Sequence, residues 1–248
     1  MNQLYIGFTR SLELPKGSFL FIDDEVPKHP KAKVFDPLKH SFNPLRNIDR
    51  KKARSIAAAI YAASPQGENT LTLRNGRRAL AHALAETPRL DKVHVQTAIK
   101  GVQEEVEGML DDVLFTDVVR RALCSEDDFA FTGHNTKVFA RINRADLGEY
   151  DALVLGLLLI ENFKGQIIVP DFGFYGRDIH ANLIRENRLI VGINFLDELP
   201  DKLRQSVLLI KDKKPSGATF EDAVTLARYK NLQPNTNEYN DELKEAMA

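Results

Sequence analysis

The second half of the chain constrains the fold most strongly, because short apolar runs alternate there with segments of helical spacing. Residues 137–143 alternate with a period of two, 150–162 have the length and apolarity of a buried helix, and 165–169 again resemble a strand. Helix and strand patterns then alternate at 177–187, 188–195, 199–206, 207–210 and 219–229. Strands that alternate with helices are joined by right-handed crossovers and lie parallel. The pattern predicts an α/β fold, a mainly parallel sheet flanked by helices.

The first half adds short strand patterns and a long stretch rich in helix formers. Apolar runs at 19–22 and 32–35 predict two strands. From about residue 48 to 128, good helix formers and apolar residues three or four apart predict helices at about 48–64, 75–87 and 90–124. We therefore expect one α/β domain over 1–230, interrupted by a helical insertion at about 48–128, with a polar tail at 231–248.

Composition limits the class of protein without defining a function. Among 248 residues, 34 Lys and Arg balance 35 Asp and Glu, so binding to nucleic acid would need a local basic patch. The single cysteine, Cys124, excludes an internal disulfide and a thiolate zinc cluster. The N-terminus lacks the features of a signal peptide, and the longest apolar stretch, 152–160, is shorter than the ~20 residues of a membrane-spanning helix. We expect a cytoplasmic protein without a membrane span.

The best single site candidate is Asp171, which follows the strand pattern at 165–169. Ligands of open parallel sheets gather at the carboxyl ends of the strands. Asp178 and His180 could share a divalent ion with Asp171, although capping or surface solvation explains the same spacing. The aromatic residues that follow could stack on a base, dock a partner or fold back over the end of the sheet: Phe172, Phe174 and Tyr175.

A dense basic region precedes and enters the predicted helices. On folded helices it could form a surface that faces phosphates, and binding to DNA would then depend steeply on salt. Nearby acidic residues, among them Glu104 and Asp111, could instead neutralise this region and leave an ordinary solvated face. Both interpretations stay open for the predicted DNA-binding residues: Arg50, Lys51, Lys52, Arg54, Arg77 and Arg78.

Two stretches carry a resemblance to a known family. Residues 34–45 combine a strand pattern with Asn43-Pro44-Leu45, and 165–213 combine a strand ending in Asp171, a helix, and a second strand ending near Asn194. They are similar to the Asn-Pro-Leu element, the Walker B strand and the sensor strand of the HerA–FtsK class of P-loop ATPases, especially DNA-packaging and conjugative coupling ATPases. The resemblance implies a RecA-like three-layer fold, in which Asp171 would position magnesium and Asn194 would sense the γ-phosphate.

The sequence departs from this class at two places. A phosphate-binding loop needs Gly-x-x-x-x-Gly-Lys-Ser/Thr, yet none of the 14 glycines is followed by lysine, and 9–17 is too short for a loop and a helix. Phe172 follows Asp171 where many relatives place the glutamate that polarises the attacking water. No Walker A loop is therefore recognisable, and hydrolysis by this chain alone is doubtful.

The resemblance and its departures together predict a DNA-translocase-like protein with a degenerate nucleotide site. It would be a structural or regulatory component in DNA packaging or transfer, and its partners would be DNA, an active ATPase subunit or further copies of itself in a ring. One alternative is an active Mg-ATPase with a non-standard phosphate loop, which would use Mg²⁺ and ATP. Another is a protein-interaction module that binds no nucleotide.

Overall fold

The structure, a computed structural model, describes most of the first 193 residues and short pieces beyond them. The described residues are 3–6, 14–27, 29, 31–64, 71–99, 101–126, 129–131, 135–193, 198–200, 202–203 and 211–212. Several predictions fall outside these residues: the sensor Asn194, the strand at 207–210, the helix at 219–229, the tail at 231–248 and most of the segment 9–17.

Within the described residues, seven strands form one sheet. They are β1 (Gln3–Ile6), β2 (Phe19–Asp23), β3 (Lys33–Phe35), β4 (Lys137–Arg141), β5 (Gln166–Val169), β6 (Leu189–Ile193) and β7 (Lys211–Asp212). Their order across the sheet is β3-β4-β2-β5-β6-β1-β7. The pairs β1–β6, β1–β7, β2–β5, β3–β4 and β5–β6 are parallel. The parallel sheet predicted from the alternating pattern is confirmed.

Helices flank the sheet. They are α1 (Arg50–Ala63), α2 (Leu71–Glu86), α3 (Val102–Val113), α4 (Asp117–Cys124), α5 (Arg144–Leu147), α6 (Glu149–Asn162), α7 (Phe172–Tyr175) and α8 (Ala181–Arg185), with short 3₁₀ helices at Leu90–Lys92 and Asp178–His180. The first four α-helices all lie between β3 and β4 in the sequence.

The chain divides into two compact units. Unit 1 comprises residues 1–21 and 165–248, and unit 2 comprises 22–164. Unit 1 holds β1, the start of β2 and β5 to β7; unit 2 holds the end of β2, β3, β4 and helices α1 to α6. These boundaries do not coincide with the insertion expected at about 48–128, which stays a prediction.

The core of unit 2 is built around α6, the buried helix predicted at 150–162. Between Ala152 and Ile160 every residue except Leu153 is buried, as expected for a helix that is apolar on all sides. Helices α1 and α6 pack together, and α1 presents small side chains, Ala53 and Ala57 among them, on its buried face. The small residues allow the two helix backbones to approach closely.

Two of the helix predictions need correction. The helical spacing at 90–124 is interrupted at 93–101 and 114–116, so the stretch forms a 3₁₀ turn, α3 and α4 instead of one helix. The exposed helix expected at 177–187 is a 3₁₀ turn followed by the five residues of α8, with Leu183 and Ile184 buried. The ends of such short helices depend on tertiary packing, so the local periodicity of the sequence does not predict them.

Candidate functional site

The candidate site in unit 1 lies at the carboxyl ends of the strands β1, β5 and β6. The strand register places Val169 beside Val191, Val191 beside Leu4, and Ile193 beside Ile6. Asp171, two residues beyond Val169, therefore follows β5 at the level where β6, and β1 beyond it, end. This is the edge of a parallel sheet at which ligands bind.

Local hydrogen bonding fixes the position of Asp171. The residue is the N-cap of α7, and its Oδ1 accepts a hydrogen bond from the backbone N–H of Phe174 at 3.4 Å. Its side chain is half-buried. Capping, one of the two interpretations of this residue, is thus observed, and it holds the carboxylate at the sheet edge.

The aromatic residues after Asp171 fold back into the protein. Phe172 is fully buried and Tyr175 is 2% exposed, while Phe174 packs edge-on against Tyr175 with 4.7 Å between ring centroids. Of the alternatives considered for these rings, Phe172 and Tyr175 therefore cover the end of the sheet. The side chain directly after Asp171 is therefore a buried phenyl ring, which cannot accept a proton from water.

A second carboxylate lies against α7. A Cβ atom added at Gly173 would lie 2.7 Å from Oε2 of Glu198, so the Glu198 side chain packs directly on this glycine. Gly173 is two residues after Asp171, whereas Glu198 follows β6. Nothing in the sequence indicates this approach, because it joins residues that are 25 positions apart through the tertiary fold.

His180 and Asp178 do not join Asp171 in a metal site. The His180 ring is fully buried, its Nδ1 accepts the Arg177 N–H at 3.2 Å, and it packs on Phe172 with 5.7 Å between ring centroids. Burial, together with the charge of Arg177, lowers the pKa of His180 from 6.5 to about 3. Asp178 forms an ion pair with Lys202 at 2.9 Å. No group of three His, Cys, Asp or Glu suited to a metal occurs among the residues that the structure describes.

Among the described residues, Asp171 is the candidate ligand for the magnesium ion of a nucleotide site. Mg²⁺ in phosphate-transfer proteins is commonly bound by one or two carboxylates and by the substrate phosphates, and Asp171 supplies one half-buried carboxylate at the sheet edge. Most of the segment 9–17, in which a non-standard phosphate loop is expected, and the predicted sensor Asn194 lie outside the described residues.

The predicted DNA-binding residues lie in unit 2, on α1 and α2. Arg50, Lys51 and Arg54 are exposed, and Nζ of the half-buried Lys52 donates to the backbone carbonyl of Arg46 at 3.3 Å. The N-cap Asp49 accepts from the Lys52 N–H at 2.7 Å. The first turn of α1 contains no acidic residue, so its side chains add positive charge to the positive end of the helix dipole.

Arg77 and Arg78 form a separate group on α2. Gly76 lies against the hydroxyl of Tyr61, which places the neighbouring arginines beside the last turns of α1. Because Tyr61 is seven residues after Arg54, the two basic groups are on the order of 10 Å apart along the helix axis. Within the described part of the chain, Arg50, Arg54, Arg77 and Arg78 form no ion pair. Burial raises the pKa of Tyr61, Glu105 raises it further and Arg77 lowers it, so an acidic residue lies close to Arg77.

Comparison with known proteins agrees with the fold. No protein-family model matches the chain, and no curated protein matches it in sequence. The chain is similar to a solved structure of VirB4 of Thermoanaerobacter pseudethanolicus, with a TM-score of 0.54 and 9% identity over 94% of this chain and 81% of that chain. At this identity the similarity concerns the fold, and the RecA-like α/β class expected from the sequence is confirmed. None of the described helices has the length and apolarity needed to cross a bilayer.

Proposed function

We propose that the chain is a DNA-translocase-like protein whose nucleotide site is degenerate, and that it acts as a structural or regulatory component in DNA packaging or transfer. The fold is similar to that of VirB4, and residues 34–45 and 165–213 resemble the HerA–FtsK class. The observation that carries the degenerate site is Phe172, a fully buried ring directly after Asp171.

The chemistry of hydrolysis explains why this residue matters. Catalysis of phosphoryl transfer depends on positioning the attacking water and on stabilising the charge that develops on the phosphate. The absence of a Gly-Lys pair removes the usual phosphate loop, and a phenyl ring cannot orient water. Two independent parts of the machinery are therefore missing from the sequence, while Asp171 retains its position at the sheet edge.

Phosphate release, measured with Mg-ATP in the presence and absence of DNA, tests this proposal. The wild-type chain is expected to release no more phosphate than Asp171→Asn. Asp178→Asn is the matched control, because Asp178 is a nearby carboxylate engaged with Lys202. Turnover in the wild type and in Asp178→Asn that disappears in Asp171→Asn would contradict a degenerate site.

Glu198 favours a second candidate function, an active Mg-ATPase with a non-standard phosphate loop. Its carboxylate packs on Gly173 and could supply the water-orienting group that the position of Phe172 lacks. In that case Asp171→Asn and Glu198→Gln both abolish turnover, whereas Asp178→Asn retains it. Equal turnover in Glu198→Gln and the wild type would exclude this role for Glu198.

The proposed contact with DNA uses the first turn of α1. Three basic side chains at the positive end of a helix are stabilised by a bound anion such as a phosphate. The substitutions Arg50→Glu, Lys51→Glu and Lys52→Glu together are expected to abolish DNA retention at low salt. A variant with the same change in net charge at exposed positions elsewhere, Lys92→Glu, Lys164→Glu and Arg185→Glu, is expected to retain DNA. Unchanged retention by the α1 variant would remove DNA from the proposal.

A further inference from the structure

Unit 2 exposes several large apolar side chains to solvent. Among the described residues these are Phe115, Ile99, Val34 and Leu38, with exposures of 82%, 47%, 44% and 39%. Phe115 lies in the link between α3 and α4 and is by far the most exposed. At this exposure the Phe115 ring contributes little to the core, and aromatic side chains are enriched among the residues that anchor protein interfaces.

Helix α4 joins Phe115 to Leu38 on one surface. The exposed Arg120 donates from Nε to the carbonyl of Leu114, the residue before Phe115, at 3.2 Å. The exposed Arg121 donates from Nη2 to the carbonyl of Leu38 at 2.7 Å. Arg120 and Arg121 are consecutive and exposed on α4, so the backbone carbonyls of Leu114 and Leu38 both lie within reach of neighbouring side chains of this helix.

The charges around the two apolar groups are of opposite sign. The exposed charges near Phe115 are acidic in balance, because Asp111, Asp112 and Asp117 outnumber the one nearby cation, Arg120. The exposed charges near Val34 and Leu38 are basic: Lys31, Lys33, Lys39 and Arg121, of which Lys39 pairs with the buried Asp36 at 3.5 Å. A surface with an acidic apolar half and a basic apolar half is complementary to itself when a second copy is rotated by 180°.

We propose that this surface binds a second copy of the chain about a two-fold axis, so that Phe115 of each copy packs on Val34 and Leu38 of the other. The aspartates beside Phe115 then face the lysines beside Val34 and Leu38. The dimer depends on neither nucleotide nor DNA, and it uses none of the basic residues assigned to DNA above. Its failure and the failure of the proposed function are therefore distinguishable.

Sedimentation velocity of the full chain at 1–100 µM tests the dimer. The wild type is expected to dimerise in this range, and Phe115→Ser is expected to raise the dissociation constant roughly tenfold or more, as truncation of a central aromatic anchor does. Ile99→Ser is the matched control, since it removes another exposed apolar side chain that the proposed contact does not use. A wild type that stays monomeric at 100 µM, or equal dissociation constants for the wild type and Phe115→Ser, would overturn the proposal.

Exchanging the charges on the two halves of the surface provides a second test, in which a combined variant should restore the dimer. Asp111→Lys with Asp112→Lys is expected to weaken the dimer by placing lysines opposite lysines. Lys33→Glu with Lys39→Glu is expected to weaken it in the same way. The variant with all four substitutions is expected to recover the dimer, and a failure of the fourfold variant to dimerise better than both double variants would refute the charge arrangement.

Cross-linking locates the contact between copies. Phe115→Cys mixed with Leu38→Cys is expected to form a disulfide-linked heterodimer under mild oxidation, because these side chains meet across the two-fold axis. The native Cys124 is buried and burial raises its pKa to about 11, so it does not compete. No cross-link in the mixture, when both variants are folded by circular dichroism, would exclude the proposed contact.

Discussion

Replacement of His180 by Asn is predicted to remove an acid sensitivity of the fold. The His180 ring is fully buried, its Nδ1 accepts the Arg177 N–H, and Nε2 is buried without a hydrogen-bond partner among the described residues. Burial, together with the smaller effect of the Arg177 charge, lowers the pKa of this ring from 6.5 to about 3. The unfolded chain therefore binds a proton on this residue between these values, while the folded chain does not.

The size of the effect follows from proton linkage. When the folded pKa lies below the unfolded pKa, the free energy of unfolding falls as the pH drops through the unfolded value of 6.5. One pKa unit corresponds to about 1.4 kcal/mol, so at pH 5 the loss attributable to His180 is about 2 kcal/mol relative to pH 7.5. This figure changes little for any folded pKa well below 5, because it depends chiefly on the unfolded value.

Urea unfolding at pH 7.5 and pH 5.0 measures this loss. The wild type should lose about 2 kcal/mol more than His180→Asn between the two pH values, since Asn keeps an acceptor for the Arg177 N–H but does not titrate. His82→Asn is the control, because the His82 side chain is 76% exposed in the folded chain. Identical losses for the wild type and His180→Asn would refute the argument that this buried ring stays neutral.

Three further predictions concern packing and reactivity. Gly176→Ala should destabilise the fold by about 2–3 kcal/mol, because the added Cβ would lie 2.6 Å from the carbonyl oxygen of Phe172. Gly108 lies on α3 with open space around it, so Gly108→Ala should stabilise the fold by up to about 1 kcal/mol. Thermal melts of the two variants and the wild type measure both effects. Thr116→Ala should cost roughly 2 kcal/mol in urea unfolding, since its hydroxyl caps α4 and donates to a buried carboxylate of α6 at 2.6 Å; a loss below about 0.5 kcal/mol would contradict this. Cys124, whose burial raises its pKa to about 11, should react with a thiol reagent at pH 8 only as fast as the chain unfolds, and immediate labelling would show that it is accessible.

The strands and the central helix could be predicted from the sequence because burial sets their patterns directly. The strand predicted at 165–169 is β5, the strand at 188–195 contains β6, and the helix at 150–162 is α6 within one residue. A strand covered by helices must be apolar along its length, and a helix surrounded by protein must be apolar on all sides. Each requirement applies to one segment by itself, so the sequence of that segment is enough to predict its structure.

The surroundings of the candidate site could be predicted only in part. The position of Asp171 after β5 follows from the strand pattern, and its capping of α7 was one of the expected alternatives. The approach of Glu198 to Gly173 and the burial of His180 against Phe172 could not be predicted. Both depend on how segments distant in sequence pack, and a histidine or glutamate in a polar stretch gives no local sign of its partner.

The division of the chain into a continuous and a discontinuous unit bears on the order of folding. Unit 2 is one stretch, 22–164, whereas unit 1 brings 1–21 together with residues after 165. Contacts between distant segments carry a loop-closure entropy that grows with the length of chain between them. During synthesis β1 cannot pair with β6, its neighbour in the sheet, until 193 residues have been made. We expect the amides of α6 to become protected from hydrogen exchange before those of β6 in pulse-labelled refolding, and the reverse order would show that the two ends of the chain meet first.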